Sequence, residues 1–97
     1  MTELQVIARY KISAGKQSQV TPLLARLTEA SRGEPGNISF GAYHRLDEDR
    51  DVVLLERYAS RDAFTANRES THFKDLVLEQ IAPCLDNRVV ESYDVLD

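Results

Sequence analysis

The sequence predicts an α+β domain of the ferredoxin-like type, a split βαβ arrangement with helices on one face of a four-stranded antiparallel sheet. Three segments alternate in polarity with the two-residue period of strands, a fourth run is apolar throughout, and apolar residues recur at helical spacing after the first and the third of these four. The run Val52 to Leu55 is apolar on both faces, so something must also cover the second face of the sheet. The simplest cover is the sheet of a second subunit, which predicts a homodimer.

The first strand runs from Leu4 to Ile12, where alternate residues are apolar. A helix follows, marked by apolar residues at helical spacing: Val20, Leu23, Leu24, Leu27 and Ala30. Gly33 suits the left-handed position just past the helix end. Pro22 leaves two starting points open. Either Thr21 caps a helix whose first residue is Pro22, or the helix begins near Lys16 and is kinked at Pro22.

The second strand is predicted from Ile38 to Leu46, and the charged run Asp47 to Asp51 is predicted to turn into the third strand. Ser60 is placed to cap a short helix that contains Ala63 and Phe64.

Ser70 is placed to cap a longer helix with its own apolar stripe: Phe73, Leu76, Val77 and Ile81. Pro83 is expected to close that helix, and the last strand is predicted from Arg88 to Leu96.

Composition narrows the range of functions. The 97 residues form one predicted domain, residues 1–97, and 12 basic against 16 acidic residues give a net charge of -4, which argues against nucleic acid as a partner. A secretion signal and an apolar run of about 18 residues are both missing, so we expect a soluble cytoplasmic protein without membrane contact. Cys84, His44 and His72 lack the spacing of a structural zinc site, so we expect no metal.

Several polar and aromatic side chains are candidates for chemistry. His72, at a helix start, can exchange a proton near neutral pH because the unperturbed pKa of histidine is about 6.5. Glu56 and Tyr58 are two residues apart on a strand and share a face, where they can orient a hydroxylated ring. The alternative is that Glu56 forms a structural ion pair with Arg9, Arg57 or the turn at Arg32. Tyr43 and Tyr10 are candidate wall residues, although strand aromatics more often serve packing.

Three motifs occur in order along the chain. They are Ser31-Arg32-x-Glu34-Pro35-Gly36 after the first helix, Glu56-x-Tyr58-x-Ser60 on the third strand, and His72-Phe73 at a helix start. From Val6 to about Leu96 the chain resembles the antibiotic biosynthesis monooxygenase (ABM) family, of the cofactor-independent quinol monooxygenase type. The resemblance implies a dimeric α+β barrel with a pocket between the sheet and the helices of each subunit. In the turn, Gly36 is expected to supply an unusual backbone angle and Pro35 to fix the chain direction.

The resemblance also implies an activity: oxidation of a hydroquinone or polyphenol by O2 without metal, flavin or heme. It assigns His72 as the base, with Tyr58 and Asn67 as hydrogen-bonding groups that orient the substrate. Asn67 stands where many relatives carry a histidine, and its amide is expected to hold a substrate carbonyl or a superoxide-like oxygen. The expected substrate contacts are Glu56, Phe64, Phe73 and Tyr43.

Two alternatives stay open at this point. One is an isomerase or lyase that shuttles a proton on a small oxo compound through His72, and the other is a stress-response protein that binds a small aromatic without turnover. Heme degradation is disfavoured, since the heme-degrading relatives need an asparagine and a tryptophan where this chain has Ala8 and Tyr58.

Overall fold

Residues 2–96 are the part of the chain that the computed structural model describes. Within them the elements follow in the order β1 (Glu3–Ile12), α1 (Gln17–Arg32), β2 (Asn37–Arg45), β3 (Glu48–Tyr58), α2 (Arg61–Glu69), α3 (Phe73–Ile81) and β4 (Leu85–Val95). The α3 segment is wound as a π-helix, and a 3₁₀ turn, Ala82–Cys84, joins it to β4.

The four strands form one antiparallel sheet in the order β2-β3-β1-β4. In β1 the alternate residues that face the helices are all buried: Leu4, Val6, Ala8, Tyr10 and Ile12. They pack in two clusters, one with the apolar sides of α1 and α3 and one with Tyr58 and α2. This arrangement confirms the predicted ferredoxin-like α+β fold.

The opposite face of the sheet carries no helix from the described residues. Several of its large side chains are exposed: Tyr43, Leu55, Val89 and Tyr93. The alternation in β3 places Val52, Leu54 and Glu56 on the covered face and Leu55 on the open face.

The earlier of the two predicted starts of α1 is the one observed. The helix begins at Gln17, and the amide of the fully buried Val20 donates to the carbonyl of Lys16 at 3.0 Å. Thr21 does not cap it, because its hydroxyl instead donates to the Gln17 carbonyl at 2.9 Å. Pro22 is accommodated inside the helix, where it removes one backbone hydrogen bond.

The predictions for two glycines were wrong. Gly33 adopts right-handed angles (φ -77°, ψ -8°), and among residues 2–96 only Gly15 has a positive φ, so Gly36 has no unusual angle either. Gly36 is needed for a different reason. A Cβ at this position would lie 2.4 Å from the Cβ of Ala63, so the turn can approach α2 only if residue 36 has no side chain.

The predicted turn from Asp47 to Asp51 was too long. Only Leu46 and Asp47 form the turn, and β3 begins at Glu48. Asp51 binds Lys11 of β1 at 2.9 Å and Arg45 of β2 at 3.1 Å, so its charge is balanced within the sheet and the segment stays extended. The last strand likewise starts three residues earlier than predicted.

Both predicted serine caps are confirmed. The hydroxyl oxygen of Ser60 accepts from the amide of Ala63 at 3.1 Å. That of Ser70 accepts from the amide of Phe73 at 3.2 Å and so caps a helical turn at Thr71 and His72 that leads into α3. Helices among the described residues are all too short or too polar to cross a membrane.

Candidate active site

A cavity of about 780 Å³ lies between α2, α3 and the helix-facing side of β1, β3 and β4. Its lining includes four of the predicted site residues: Glu56, Phe64, Asn67 and Phe73. Tyr10, Arg68 and Arg88 line the same space. The fold therefore brings an acid, an amide and aromatic rings from β1, β3, α2 and α3 together around one cavity.

Glu56 is the central titratable group of this cavity. It lies two residues before the end of β3, is only 5% exposed, and accepts a hydrogen bond on Oε1 from the hydroxyl of Tyr58 at 2.6 Å. Burial raises the pKa of Glu56 to about 7, although the Tyr58 bond and the positive charge of Arg88 act in the opposite direction. Among the described residues, Oε2 accepts no hydrogen bond. Glu56 can therefore exchange a proton with a bound molecule near neutral pH.

Tyr58 holds that carboxyl group in place. Its side chain is fully buried, and its pKa is raised by burial and by the neighbouring charge of Glu56. The phenol therefore stays protonated and acts as a fixed donor to Oε1. The alternative prediction of an ion pair at Glu56 was wrong, because the candidate arginines have other partners. Arg57 binds Gln5 and Glu3, Arg9 binds Glu91, and Arg32 donates to a backbone carbonyl.

Asn67 is oriented by the turn that follows α1. Its Nδ2 donates to Glu34 Oε1 at 2.8 Å and to Ser31 Oγ at 3.2 Å, and its side chain is almost fully buried. Since these two acceptors engage both amide hydrogens, the remaining functional atom is the acceptor Oδ1. Asn67 thus offers the cavity an acceptor for a hydroxyl group.

His72 lies beside the cavity and does not line it. Its Nε2 is 3.0 Å from Glu34 Oε2, but the N–H direction misses the carboxylate, and this buried atom has no hydrogen-bond partner among residues 2–96. The Glu34 carboxylate lies between the two side chains: Asn67 donates to Oε1, and His72 contacts Oε2 without an aligned hydrogen bond.

The aromatic candidates divide between the two faces of the sheet. The rings of Phe64 and Tyr58 are in tilted contact, with centroids 5.3 Å apart, and Phe73 lines the cavity from α3. Tyr43 is not brought to this site. It lies 54% exposed on the open face, where its ring crosses Gly41.

Two residues of this site were not singled out by the sequence. Glu34 was interpreted as part of a structural turn, and Arg88 only as the start of a strand. The alternation of side chains in β4 could have identified Arg88. It pairs with Tyr10 of β1, whose side chain points to the helices, so the side chain of Arg88 points the same way. Residues 2–96 contain no cluster of three or more side chains that could hold a metal ion.

Comparisons with known proteins agree with this architecture. A model of the family "Antibiotic biosynthesis monooxygenase" matches residues 4–78. The "Putative monooxygenase YcnE" of Bacillus subtilis (strain 168) is 26% identical over 70 residues, which cover 72% of this chain and 74% of that protein. The structure of Rv0793 from Mycobacterium tuberculosis is 29% identical, with a TM-score of 0.89 over 98% of this chain and 96% of that one. A crystal structure of an antibiotic biosynthesis monooxygenase is 25% identical, with a TM-score of 0.91 over 97% of this chain and 99% of the other. On the strength of the family match over residues 4–78, the chain belongs to the antibiotic biosynthesis monooxygenase family.

Proposed function

We propose that this protein is a monooxygenase that uses O2 to oxidise a hydroquinone or a related polyphenol, without metal, flavin or heme. The observation that carries the proposal is a buried carboxyl group, Glu56, with a pKa of about 7, at the wall of a cavity lined by aromatic rings. Family membership supports the oxygenase class. The overall reaction balances as hydroquinone plus O2 giving a hydroxyquinone plus water.

The chemistry needs little from the protein beyond proton transfer and positioning. A deprotonated dihydroxyarene donates one electron to O2, and the resulting aryloxyl radical and superoxide combine at a ring carbon. Loss of water from the hydroperoxide leaves one oxygen atom in the quinone product. The protein accelerates this sequence by removing the first proton and holding the ring.

We assign the first proton transfer to Glu56, whose Oε2 receives the proton while Tyr58 fixes Oε1. Asn67 Oδ1 accepts a hydrogen bond from the second hydroxyl, and Phe64 and Phe73 contact the ring. His72 was expected to be the base. Because it lies on Glu34 and outside the cavity lining, we assign it to the positioning of Asn67 through that carboxylate.

Oxygen uptake by dialysed, metal-stripped protein tests this assignment, measured with pre-reduced quinols against a no-enzyme control for autoxidation. Glu56→Gln keeps the shape of the side chain and removes the base, so we expect uptake to fall by about 100-fold or more. Glu79→Gln, at an exposed position of α3, is the matched control and should retain the wild-type rate. With 18O2, one labelled atom should enter the product. Absence of uptake by the wild-type protein with every quinol tested would contradict the oxygenase proposal.

The same carboxyl group also suits a second reaction class. A group that titrates near neutral pH can move a proton between two carbon atoms, as an isomerase or lyase of a small oxo compound requires. Turnover of such a compound under nitrogen, lost in Glu56→Gln, would favour this function. Ligand binding without turnover under either atmosphere would favour the non-catalytic alternative.

We also propose that two copies of the chain associate through the open face of the sheet. Large exposed side chains, among them Tyr43, Leu55, Val89 and Tyr93, lie on this face, and side chains of this kind are rarely left in water over a continuous surface. Association of two such faces would give the dimeric α+β barrel. In that assembly Tyr43 would lie at the interface between the two sheets. It could contact a substrate, as predicted, only if the cavity of the partner subunit extended to Tyr43.

A further inference from the structure

The arginines at the cavity differ from most arginines of this protein in having no acidic partner. Five arginines form ion pairs with carboxylates on the surface: Arg9, Arg45, Arg50, Arg57 and Arg61. Within residues 2–96, four have no carboxylate within ion-pair distance: Arg26, Arg32, Arg68 and Arg88. Arg32 is engaged by a backbone carbonyl, and Arg26 lies away from the cavity. The other two, Arg68 and Arg88, both line it.

These two guanidinium groups are held by the same rings that form the cavity wall. The guanidinium carbon of Arg88 lies 5.9 Å from the ring centre of Tyr10 and 5.8 Å from that of Phe73. Arg68 lies 5.4 Å from the ring centre of Phe64. A guanidinium that lies over an aromatic face keeps N–H groups at its edge, and those of Arg88 that do not engage the Tyr10 hydroxyl can bind an oxyanion.

We propose that the substrate of this site is an anionic aromatic compound, a hydroxylated ring that carries a carboxylate or a similar oxyanion, and that Arg88 binds this anion with Arg68 beside it. The ring then occupies the space between Phe64 and Phe73, with its hydroxyl groups toward Glu56 and Asn67. This inference rests on the proposed function only in taking a hydroxylated ring as the ligand. It adds a charge requirement that an unsubstituted hydroquinone does not meet.

Two carboxyl groups of the same cavity oppose the binding of an anion. Glu56 lies on β3 and Glu69 is exposed at the end of α2. A binding experiment at pH 6 keeps Glu56 largely protonated, so that the two arginines face only Glu69. At this pH a benzoic acid is still ionised.

The test compares hydroquinone with 2,5-dihydroxybenzoate, two ligands that differ by one carboxylate. Dissociation constants are measured by titration calorimetry under nitrogen, at pH 6 and low ionic strength. We expect the wild-type protein to bind the benzoate at least about tenfold more tightly, as a charge-assisted pair of hydrogen bonds implies. We expect Arg88→Gln to bring the two constants to within about twofold, and Arg88→Lys to retain part of the preference because a lysine keeps the charge without the planar fork.

Arg26→Gln is the control for net charge, since it removes an unpaired arginine outside the cavity, and it should keep the full preference. Arg68→Gln should reduce the preference and serves as a second variant if Arg88→Gln does not fold, which circular dichroism would reveal. The proposal is overturned if the wild-type protein binds both ligands within twofold, if it does not bind the benzoate at millimolar concentration, or if a folded Arg88→Gln keeps the preference.

Because binding is measured without O2, this result is independent of the oxygenase proposal. A preference for the benzoate in a protein that consumes no O2 would uphold the anion site and contradict the oxygenase. Uptake of O2 with hydroquinone, together with equal binding of the two ligands, would do the reverse.

Discussion

Glu56→Gln should change how the stability of the protein depends on pH. The pKa of Glu56 is raised from 4.5 to about 7 in the folded state, chiefly by burial, so the folded protein binds this proton more tightly than the unfolded chain does. Stability is therefore lost as pH rises from about 4.5 to about 7, and the loss is complete above 7. At 1.36 kcal/mol per pKa unit, ionisation of Glu56 lowers the free energy of unfolding by about 2.5 kcal/mol between pH 5 and pH 8.

The assay is urea unfolding followed by circular dichroism, for wild type and Glu56→Gln at pH 5, 6, 7 and 8 and at one protein concentration. The quantity of interest is the difference in unfolding free energy between the two proteins, because the titrations of other groups cancel in it. Glutamine cannot ionise, so the variant should gain on the wild type by about 2.5 kcal/mol between pH 5 and pH 8. The groups that face Glu56 are Tyr58, Arg88 and Glu34, and all three are present in both proteins. A difference that does not vary with pH would refute the assignment of Glu56 as a buried acid with a raised pKa.

Three further predictions concern the surroundings of the site. Gly36→Ala should destabilise the protein by about 1 to 3 kcal/mol, because the new Cβ would overlap with the Ala63 Cβ. The double variant with Ala63→Gly should lose less stability than the sum of the two single variants. Additive losses in urea unfolding would contradict this contact. Ser60→Ala should cost about 1 kcal/mol by removing the cap of α2, and an unchanged melting temperature would count against that role. Leu55→Asp should weaken a dimer through the open face by about 100-fold, because it leaves a buried charge unpaired. Leu46→Asp, in the exposed turn, is the control and should leave the dimer intact. Light scattering that finds equal masses for the wild type and both variants would argue against this interface.

Much of the fold follows from patterns that are local in the sequence. The alternation of β1 identifies both its length and its covered face, because side chains two apart must point the same way. Ser60 and Ser70 mark helix starts because the hydroxyl oxygen of a serine can accept a hydrogen bond from the backbone amide three residues later. By the same local geometry, the sequence alone places Glu56 and Tyr58 on one face of β3.

The contacts that the sequence did not reveal are those between distant segments. Gly36 was interpreted through its backbone angle, yet the constraint comes from Ala63, which lies 27 positions later and is brought into contact by the packing of α2. His72 was expected to act as the base, but its imidazole lies against Glu34, 38 positions earlier, and not among the residues that line the cavity.

The two faces of β3 connect the chemistry of the site with the proposed assembly. On the covered face, ionised Glu56 opposes folding by about 3 kcal/mol at neutral to alkaline pH, which is a large share of the roughly 5 to 15 kcal/mol by which a domain is stable. A domain of 97 residues has a small core with which to offset this cost. On the open face of the same strand, Val53 and Leu55 would bury further apolar surface in the proposed dimer. Dimerisation would therefore supply stability that offsets the burial of Glu56 beneath the helices. Loss of the interface should then also impair the cavity around Glu56.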